Sequence, residues 1–410
     1  MSVVVDEPPR AERPVGRPAA ERRVTVEPVA LPCLEREWTA LEPRARTRNV
    51  FVSWPFVATW WEHFRRERQG RTWLARAADG TPVAIVPLYE EQVATRFGPV
   101  RVLRNVGYRD VVNPDFLDAL CVPGWEEPVA RALAPEILGG NGWDFAEFSE
   151  LDPDGSLVRM ASVWAGEDGL EVRREPRATC PYIELPGTFD EYLAGRNPHF
   201  RQQLRRYRRK IERDFQVVWK RLGEDIDISA GIEIMARLHQ ARMESTDRGG
   251  NFRKGDYFAF QRTLAHRLHR SGQLFSWIVF IDGAPAATHY GFVHGRVYYG
   301  YQMGFEPRYQ RWSPGHYMTG RVMEMLIERG VREMNLLRGT DAWKFRWTDR
   351  TRRTVTLRLL RGDWRSSWAH VRSQLSQSPA LVARFLLGRD AFDELRAALT
   401  RWRARLDGRD

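Results

Sequence analysis

The residues best suited to chemistry lie close together, in the stretch Tyr298–Tyr317, which reads YYGYQMGFEPRYQRWSPGHY. It begins as an aromatic strand (Val297–Met303), reaches a Ser313-Pro314-Gly315 turn and opens a helix from His316 to Arg329. The first turn of a helix has unpaired backbone N–H groups and the positive end of the helix dipole, so a strand, tight turn and helix start form an anion cradle. Pro314 suits a helix entry, and Gly315 lets a ligand approach the backbone. An ordinary helix with Ser313 as N-cap would read the same way.

A second feature is electrostatic. In Arg196–Arg213, Asn197 can cap and Pro198 can occupy the first turn, while Phe200, Leu204, Tyr207 and Ile211 recur at helical spacing. Opposite them stand Arg201, Arg205, Arg206, Arg208, Arg209, Lys210 and Arg213, offset only by Glu212. Such a face is either a solvated linker or a surface for an anion: a CoA phosphate, an anionic saccharide or lipid carrier, or tRNA. Lys344 stands out differently. The chain has only four lysines (Lys210, Lys220, Lys254 and Lys344) against 60 arginines. A retained lysine can mark a place where a compact ammonium, or a group of adjustable pKa, is wanted.

The elements that must position these groups form two similar halves. The chain has 410 residues, enough for two domains, and its 48 aromatic residues exclude a disordered or fibrous chain. The net charge of +11 reflects the general use of arginine, so by itself it names no partner. Cys33, Cys121 and Cys180 are too scattered for a disulfide framework or a zinc site; they fit a reducing, cytoplasmic setting. No apolar run is long enough to span a membrane.

Residues 1–30 read as a proline-rich disordered leader. An aromatic, mostly helical face follows over Phe51–Phe64, then the hairpin Thr72–Ala77 and Val83–Leu88 around Asp79-Gly80. A helix over Glu126–Leu138 and a strand over Trp143–Phe148 complete the first half. The second half repeats the order: a helix over Asp256–Arg270, then strands Leu274–Ile281, Ala286–Val293 and Val297–Met303. The helix His316–Arg329 and a strand Glu333–Leu337 follow, with a further strand pair at Lys344–Trp347 and Val355–Leu360. The two hairpins share the pattern DGxPxA, at Asp79–Ala84 and Asp282–Ala287, and with the repeated order this predicts an internal duplication. From Trp364 to Asp410 two amphipathic helices form a helical hairpin; a basic, Trp-bearing helix could instead rest on a membrane.

This order resembles the GNAT acyltransferase superfamily. The family's acyl-CoA motif, Gln/Arg-x-x-Gly-x-Gly/Ala, is similar to Gln310-Arg311-Trp312-Ser313-Pro314-Gly315, with Ser313 in place of the first Gly. Tyr309–Gly315 with Gly339 and Trp343-Lys344-x-x-Trp347 resembles the tandem proteins of the FemAB and CelD (cellulose-biosynthesis-associated) type, and the likeness covers about residues 51–361. Phe51–Trp61, Val86-Pro87-Leu88 and Asp110 also resemble that family. The first half has no Gly-loop before its helix and reads as a non-catalytic copy shaping the substrate cleft.

The resemblance implies an α/β (α+β) protein of two tandem GNAT-like domains, each a mixed, mainly antiparallel sheet flanked by helices. The expected bounds are 31–180 for the degenerate half, 181–362 for the acyltransferase domain and 363–410 for the tail. It implies acyl transfer from acetyl-CoA or another acyl-CoA, with no metal, to an amine or hydroxyl of a small-molecule or saccharide acceptor, in cell-surface polysaccharide or envelope synthesis. Gln310, Arg311, Ser313, Pro314, Gly315 and His316 would hold the cofactor. Arg201, Arg205, Arg208, Arg209 and Asp110 would hold the acceptor or another anion.

Acyl transfer from a thioester needs a deprotonated nucleophile, an oxyanion donor and a proton for the leaving thiol. Backbone N–H groups of Val297–Met303, beside the strand Glu333–Leu337, are expected to be the donor. Glu306, His289 and Asp341 are the possible bases, with His289 reading as a structural residue. The family usually has Tyr before the lysine; Trp343 stands there, which leaves Tyr299, Tyr301 and Tyr317 as proton donors, with Lys344 at the site. Two other readings remain: aminoacyl transfer from aminoacyl-tRNA, with the basic helix holding RNA, and a non-catalytic scaffold. No Ser-His-Asp order, HExxH or P-loop supports a hydrolase, zincin or nucleotide triphosphatase.

Overall fold

The computed structural model describes residues 22–66, 68–108, 111–139, 142–166, 170–245 and 250–377. Its strands are β1 (Val24–Pro28), β2 (Arg68–Ala77), β3 (Pro82–Val93), β4 (Val100–Asn105), β5 (Leu120–Cys121), β6 (Phe145–Leu151), β7 (Leu170–Glu184), β8 (Val217–Arg221), β9 (Trp277–Ile281), β10 (Ala284–His294), β11 (Val297–Phe305), β12 (Glu333–Asn335) and β13 (Thr351–Arg361). The helices are α1 (Glu35–Leu41), α2 (Trp54–Phe64), α3 (Glu126–Leu138), α4 (Ser156–Trp164), α5 (Phe189–Ala194), α6 (Pro198–Asp214), α7 (Ile228–Glu244), α8 (Gly255–Arg270), α9 (Pro314–Glu328), α10 (Ala342–Phe345) and α11 (Trp364–Gln377).

The Asp79-Gly80 and Asp282-Gly283 turns place φ > 0 at Gly80, Asp282 and Gly283, as tight hairpin turns demand. Each nucleates the same arrangement. In the first half β2, β3 and β4 pair antiparallel in sequence, and β6 then joins β4 in parallel. In the second half β9, β10 and β11 do the same, and β12 joins β11 in parallel. A helix, α3 or α9, makes each parallel crossover. The duplication expected from the hairpins is therefore present in the pairing.

The two halves form one sheet, in the order β1-β2-β3-β4-β6-β13-β7-β12-β11-β10-β9-β8. Its centre is a strand exchange. β13, from the end of the second half, lies against β6 of the first half, while β7, which follows β6 in the chain, pairs with β12 at Tyr182–Glu184. β13 and β7 pair with each other over Thr351–Arg361. A boundary at residues 180 and 181 passes through β7, so it does not separate two sheets.

Three expectations are corrected. Val24–Pro28 lies in the expected leader but forms edge strand β1, because alternate Val24 and Val26 pack inward against β2; residues 1–21 lie outside the described residues. The predicted strand Lys344–Trp347 is instead helix α10, followed by a turn. Of the helical hairpin, α11 is described, and residues 378–410 lie outside the described residues. No helix among the described residues is long and apolar enough to cross a membrane.

The main core runs across both halves. Phe56 of α2 meets Phe260 of α8 edge-on at 5.9 Å, and Phe51 meets Tyr299 of β11 at 5.7 Å. A second core packs α5, α6 and α9 on the other face of the second half, around Tyr298, Val322, Met323, Leu326 and Trp347. The two faces of β11 thus look into different environments.

Candidate active site

After β11 the chain forms a short 3-10 helix, Pro307–Trp312, and enters α9 through Ser313 at φ 54°, ψ 53°. This is the left-handed region that glycine favours, at the position where the resembled motif has glycine. The Ser313 hydroxyl makes no capping bond, so the alternative of a side-chain N-cap gives way to a backbone turn: Ser313 N–H donates to Gln310 O (2.9 Å) and Tyr317 N–H to Ser313 O (3.1 Å). Pro314 has no N–H, which leaves those of Gly315 and His316 as the free donors of the first turn. A Cβ on Gly315 would meet only Met303 Cε, at 3.9 Å, so the approach to them is open.

His316 is held in an aromatic stack, 5.7 Å from Tyr207 of α6 on one side and 5.9 Å from Trp347 on the other. Burial and the nearby Arg346 guanidinium lower its pKa to about 4, so its ring is neutral at physiological pH. Gln310 and Arg311 are exposed at the approach, and the Arg311 guanidinium lies 3.8 Å over the Trp312 ring.

Helix α6 begins as the sequence predicts, with the Asn197 side chain accepting from Phe200 N–H (2.8 Å). It packs along α9 and is pinned there by Lys210 Nζ donating to Arg311 O (3.3 Å) and Trp312 Nε1 donating to Asp214 (2.8 Å). Arg208 is spent on Glu212 and Glu324. Arg201, Arg205 and Arg209 with Pro198, Gln202 and Arg208 line an open hollow of about 490 Å³. A neighbouring hollow of about 610 Å³ is walled by Arg206, Arg209, Lys210 and Arg213.

A wedge opens beside this cradle. β11 and β12 pair only as far as Tyr299 and Asn335. Beyond that β12 is drawn towards β7: Leu336 N–H donates to Pro181 O (2.9 Å) and Gly339 N–H to Thr179 O (3.0 Å), with φ > 0 at Leu337 and Gly339. β11 continues to Phe305 paired with β10 and no longer with β12, and its register against β10 slips at Tyr301, the extra residue of a β-bulge. Lys344 locks the far wall by donating from Nζ to Leu337 O (2.9 Å) and Arg338 O (2.5 Å). It is 5% exposed, and desolvation, only partly opposed by the Asp341 and Asp115 carboxylates, lowers its pKa to about 8. Asp341 caps α10 and accepts from Lys344 N–H at 2.9 Å through its backbone oxygen.

The remaining sequence candidates are dispersed. Tyr299 and Tyr301 are buried on the face towards the first half, and the Tyr301 hydroxyl donates to Val112 O; burial raises both phenols. Tyr317 lies on α9 and bonds Glu212 (3.1 Å) and Trp219 (3.3 Å). Glu306 directly follows β11, its N–H donating to Ala286 O (2.8 Å). His289 faces α9; its Nδ1 bonds Tyr298 Oη (2.7 Å), and its buried Nε2 has no hydrogen-bond partner. Burial alone lowers its pKa to about 3. Asp110 lies outside the described residues.

The bulge side of β11 brings in residues that no motif marked. Arg242 of α7 donates to Met303 O (3.2 Å), and Gln302 donates to Tyr257 Oη (3.1 Å). His239, one turn before Arg242, is buried, with Nδ1 unpartnered and its pKa lowered by burial to about 4. Only the i, i+3 spacing of His239 and Arg242 on a helix could have suggested them.

In the first half, the helix start that corresponds to α9 carries its own anion. Gly124 N–H donates to the Glu126 carboxylate (2.7 Å), which also pairs with Arg46. An internal carboxylate thus sits at the positive end of α3, where α9 leaves its donors open.

Residues 198–345 match the family model described as an acetyltransferase (GNAT) domain. The comparison with curated proteins finds no match. Among solved structures, FemX superposes with a TM-score of 0.54 at 11% identity, over 81% of this chain and 96% of FemX. The C-terminal domain of a putative lysylphosphatidylglycerol synthetase from Agrobacterium fabrum gives 0.50 at 12% identity, over 83% of this chain and 96% of that domain. Residues 198–345 are therefore similar to the acetyltransferase (GNAT) domain family, within a two-half chain that shares the fold of these solved structures.

Proposed function

We propose that the protein transfers an acyl group, acetyl first among candidates, from acyl-CoA to an amine or hydroxyl of an acceptor held between the halves. The observation that carries this reading is the open start of α9, with donors at Gly315 and His316, directly beside the wedge between β11 and the loop 336–339. The pyrophosphate would lie on those donors, and the pantetheine arm would enter the wedge. The acceptor attacks the thioester carbonyl carbon, and the oxyanion is taken by backbone N–H at the Tyr301–Gln302 bulge. The C–S bond then breaks, and Lys344, with a pKa of about 8, gives its proton to the thiolate. Asp341 and Glu306 are the carboxylates assigned to accept the proton from the acceptor. Acetyl-CoA should raise the melting temperature of the wild type and not of Gly315→Glu, which sets a carboxylate on the anion site; no shift in the wild type sinks the reading.

A saccharide acceptor and a role in polysaccharide or envelope synthesis rest on the CelD-type resemblance. Peripheral membrane contact is supported by the exposed Trp364, Trp368 and Val371 of α11. A second reading, aminoacyl transfer from aminoacyl-tRNA, is favoured by the two arginine-lined hollows along α6, which extend past the cradle. Reversing the charge of Arg205, Arg208 and Arg209 separates the two: loss of tRNA retention with acetyl-CoA binding intact favours tRNA. If neither ligand binds, the scaffold reading gains.

A further inference from the structure

A large hollow lies away from the α9 cradle. It has a volume of about 930 Å³ and is built from α1, α2 and the end of α8, so both halves contribute to it. Leu31, Pro32, Trp54, Pro55 and Trp61 give it apolar walls. Around them stand three carboxylates, Glu35, Glu42 and Glu62, and three guanidiniums, Arg65, Arg267 and Arg270. A second hollow of about 610 Å³ shares Leu31, Pro32, Trp61 and Arg65 with the first, so the two adjoin along one groove wall. The extension adds the edges of Trp73 and Trp143, with the ion pair Arg71–Glu90 (3.0 Å) beside them.

The chemistry of this groove is selective. Each hollow has the size of a small-molecule site, and together they are elongated. Balanced charges give no net field for a polyanion, in contrast to α6. Its carboxylates and guanidiniums, of which Glu62 and Arg267 pair with each other, instead offer acceptors and paired donors to a ligand rich in hydroxyl groups. Tryptophan and proline faces suit the flat, C–H-bearing side of a sugar ring, with indole area available at little entropic cost. Glu42 is the internal anchor. Its carboxylate is largely buried, accepts from Trp54 N–H (3.4 Å) and lies 3.6 Å from His294 Nε2. Desolvation raises its pKa to about 7, so it can both accept and donate a hydrogen bond near neutral pH.

We propose that this groove binds a neutral glycan chain, with Trp54 as the ring platform and Glu42, Glu35 and Arg65 holding hydroxyl groups. The proposal does not depend on the acyl-transfer reading, since it concerns different residues and no acyl group.

The test is tryptophan fluorescence and calorimetric titration of the full chain with cellohexaose, xylohexaose, mannohexaose and chitotetraose. At least one glycan should give saturable binding, weakened about tenfold or more by Trp54→Ala and by Glu42→Gln. Arg65→Ala and Glu35→Gln alter exposed side chains and serve if Trp54→Ala fails to fold. Absence of binding by all four glycans overturns the proposal, as does binding that none of the variants weakens. A parallel acetyl-CoA thermal shift reports the other site, so failure of one reading is distinguishable from failure of the other.

Discussion

Arg338, from the loop after β12, clasps Asp115 of the first half: its guanidinium lies 2.7 Å from a carboxylate with no solvent exposure, and its backbone N–H donates to the same carboxylate at 2.9 Å. The same guanidinium reaches the buried Glu150 at 3.0 Å. Removing it leaves the buried Asp115 without its cation and Glu150 with only Arg177 (3.2 Å) and Thr354 (2.6 Å), at the junction of the halves. Arg338→Ala should therefore cost about 3–5 kcal/mol in urea unfolding, whereas Arg350→Ala, which breaks the exposed pair with Glu184, should cost far less. Equal losses would contradict this ranking.

Lys344 predicts a rise in stability with alkalinity. Its folded pKa of about 8 lies below the ordinary 10.5, so between those values the unfolded chain binds the extra proton. Stability must then increase as pH rises from 8 towards 10.5, by up to about 3 kcal/mol. The buried tyrosines act oppositely above pH 10, so the informative quantity is wild type minus Lys344→Met, measured by urea unfolding between pH 7.5 and 10 as set experimentally. A difference that stays flat across that range refutes the assignment.

Acid should act through the buried imidazoles. His289 and His239 have folded pKa values of about 3 and 4, below the ordinary 6.5, because burial disfavours their charged forms. The folded state therefore binds fewer protons in that window, and stability present above pH 6.5 is lost as pH falls towards 4. His289→Phe should flatten this dependence, at a cost of about 1–2 kcal/mol near neutrality for the Tyr298 hydroxyl left without its partner. The check is the slope of unfolding free energy against pH in the two proteins.

Backbone conformation separates three positions near the site. A Cβ on Gly304 would lie 2.3 Å from His239 N, so Gly304→Ala must push α7 from the sheet and should cost several kcal/mol, about the scale of a disrupted core. Gly315→Ala meets nothing closer than 3.9 Å and should fold normally. Ser313→Gly relieves a left-handed residue and should stabilise by about 1 kcal/mol. Thermal melts of the three variants give the order.

Much of this was legible in the sequence where local chemistry dictates form. Asp-Gly turns fixed both hairpins, Asn197-Pro198 fixed the start of α6, and Ser313-Pro314-Gly315 marked the start of α9. Lys344–Trp347 was misread as a strand because alternating aromatic residues carry that signal, whereas Asp341 caps a helical turn. The left-handed state of Ser313 has no signature in a residue type that also caps helices in extended form. His239, Arg242 and Gln302 went unmarked because they converge only when α7 packs on β11. The exchange of β7 and β13 is likewise a property of pairing between distant segments.

That exchange bears on how the chain acquires its structure during synthesis. Thr354 of β13 donates to Glu150 of β6, 204 positions earlier in the chain. The sheet of the first half must wait with one edge open until the last described strand, β13, emerges from the ribosome. Loop closure of that span is slow, and an unpaired edge is a template for wrong partners. Fragments ending near residue 180 should thus be captured by chaperones or aggregate, and the two halves become stable together, late and in a single step.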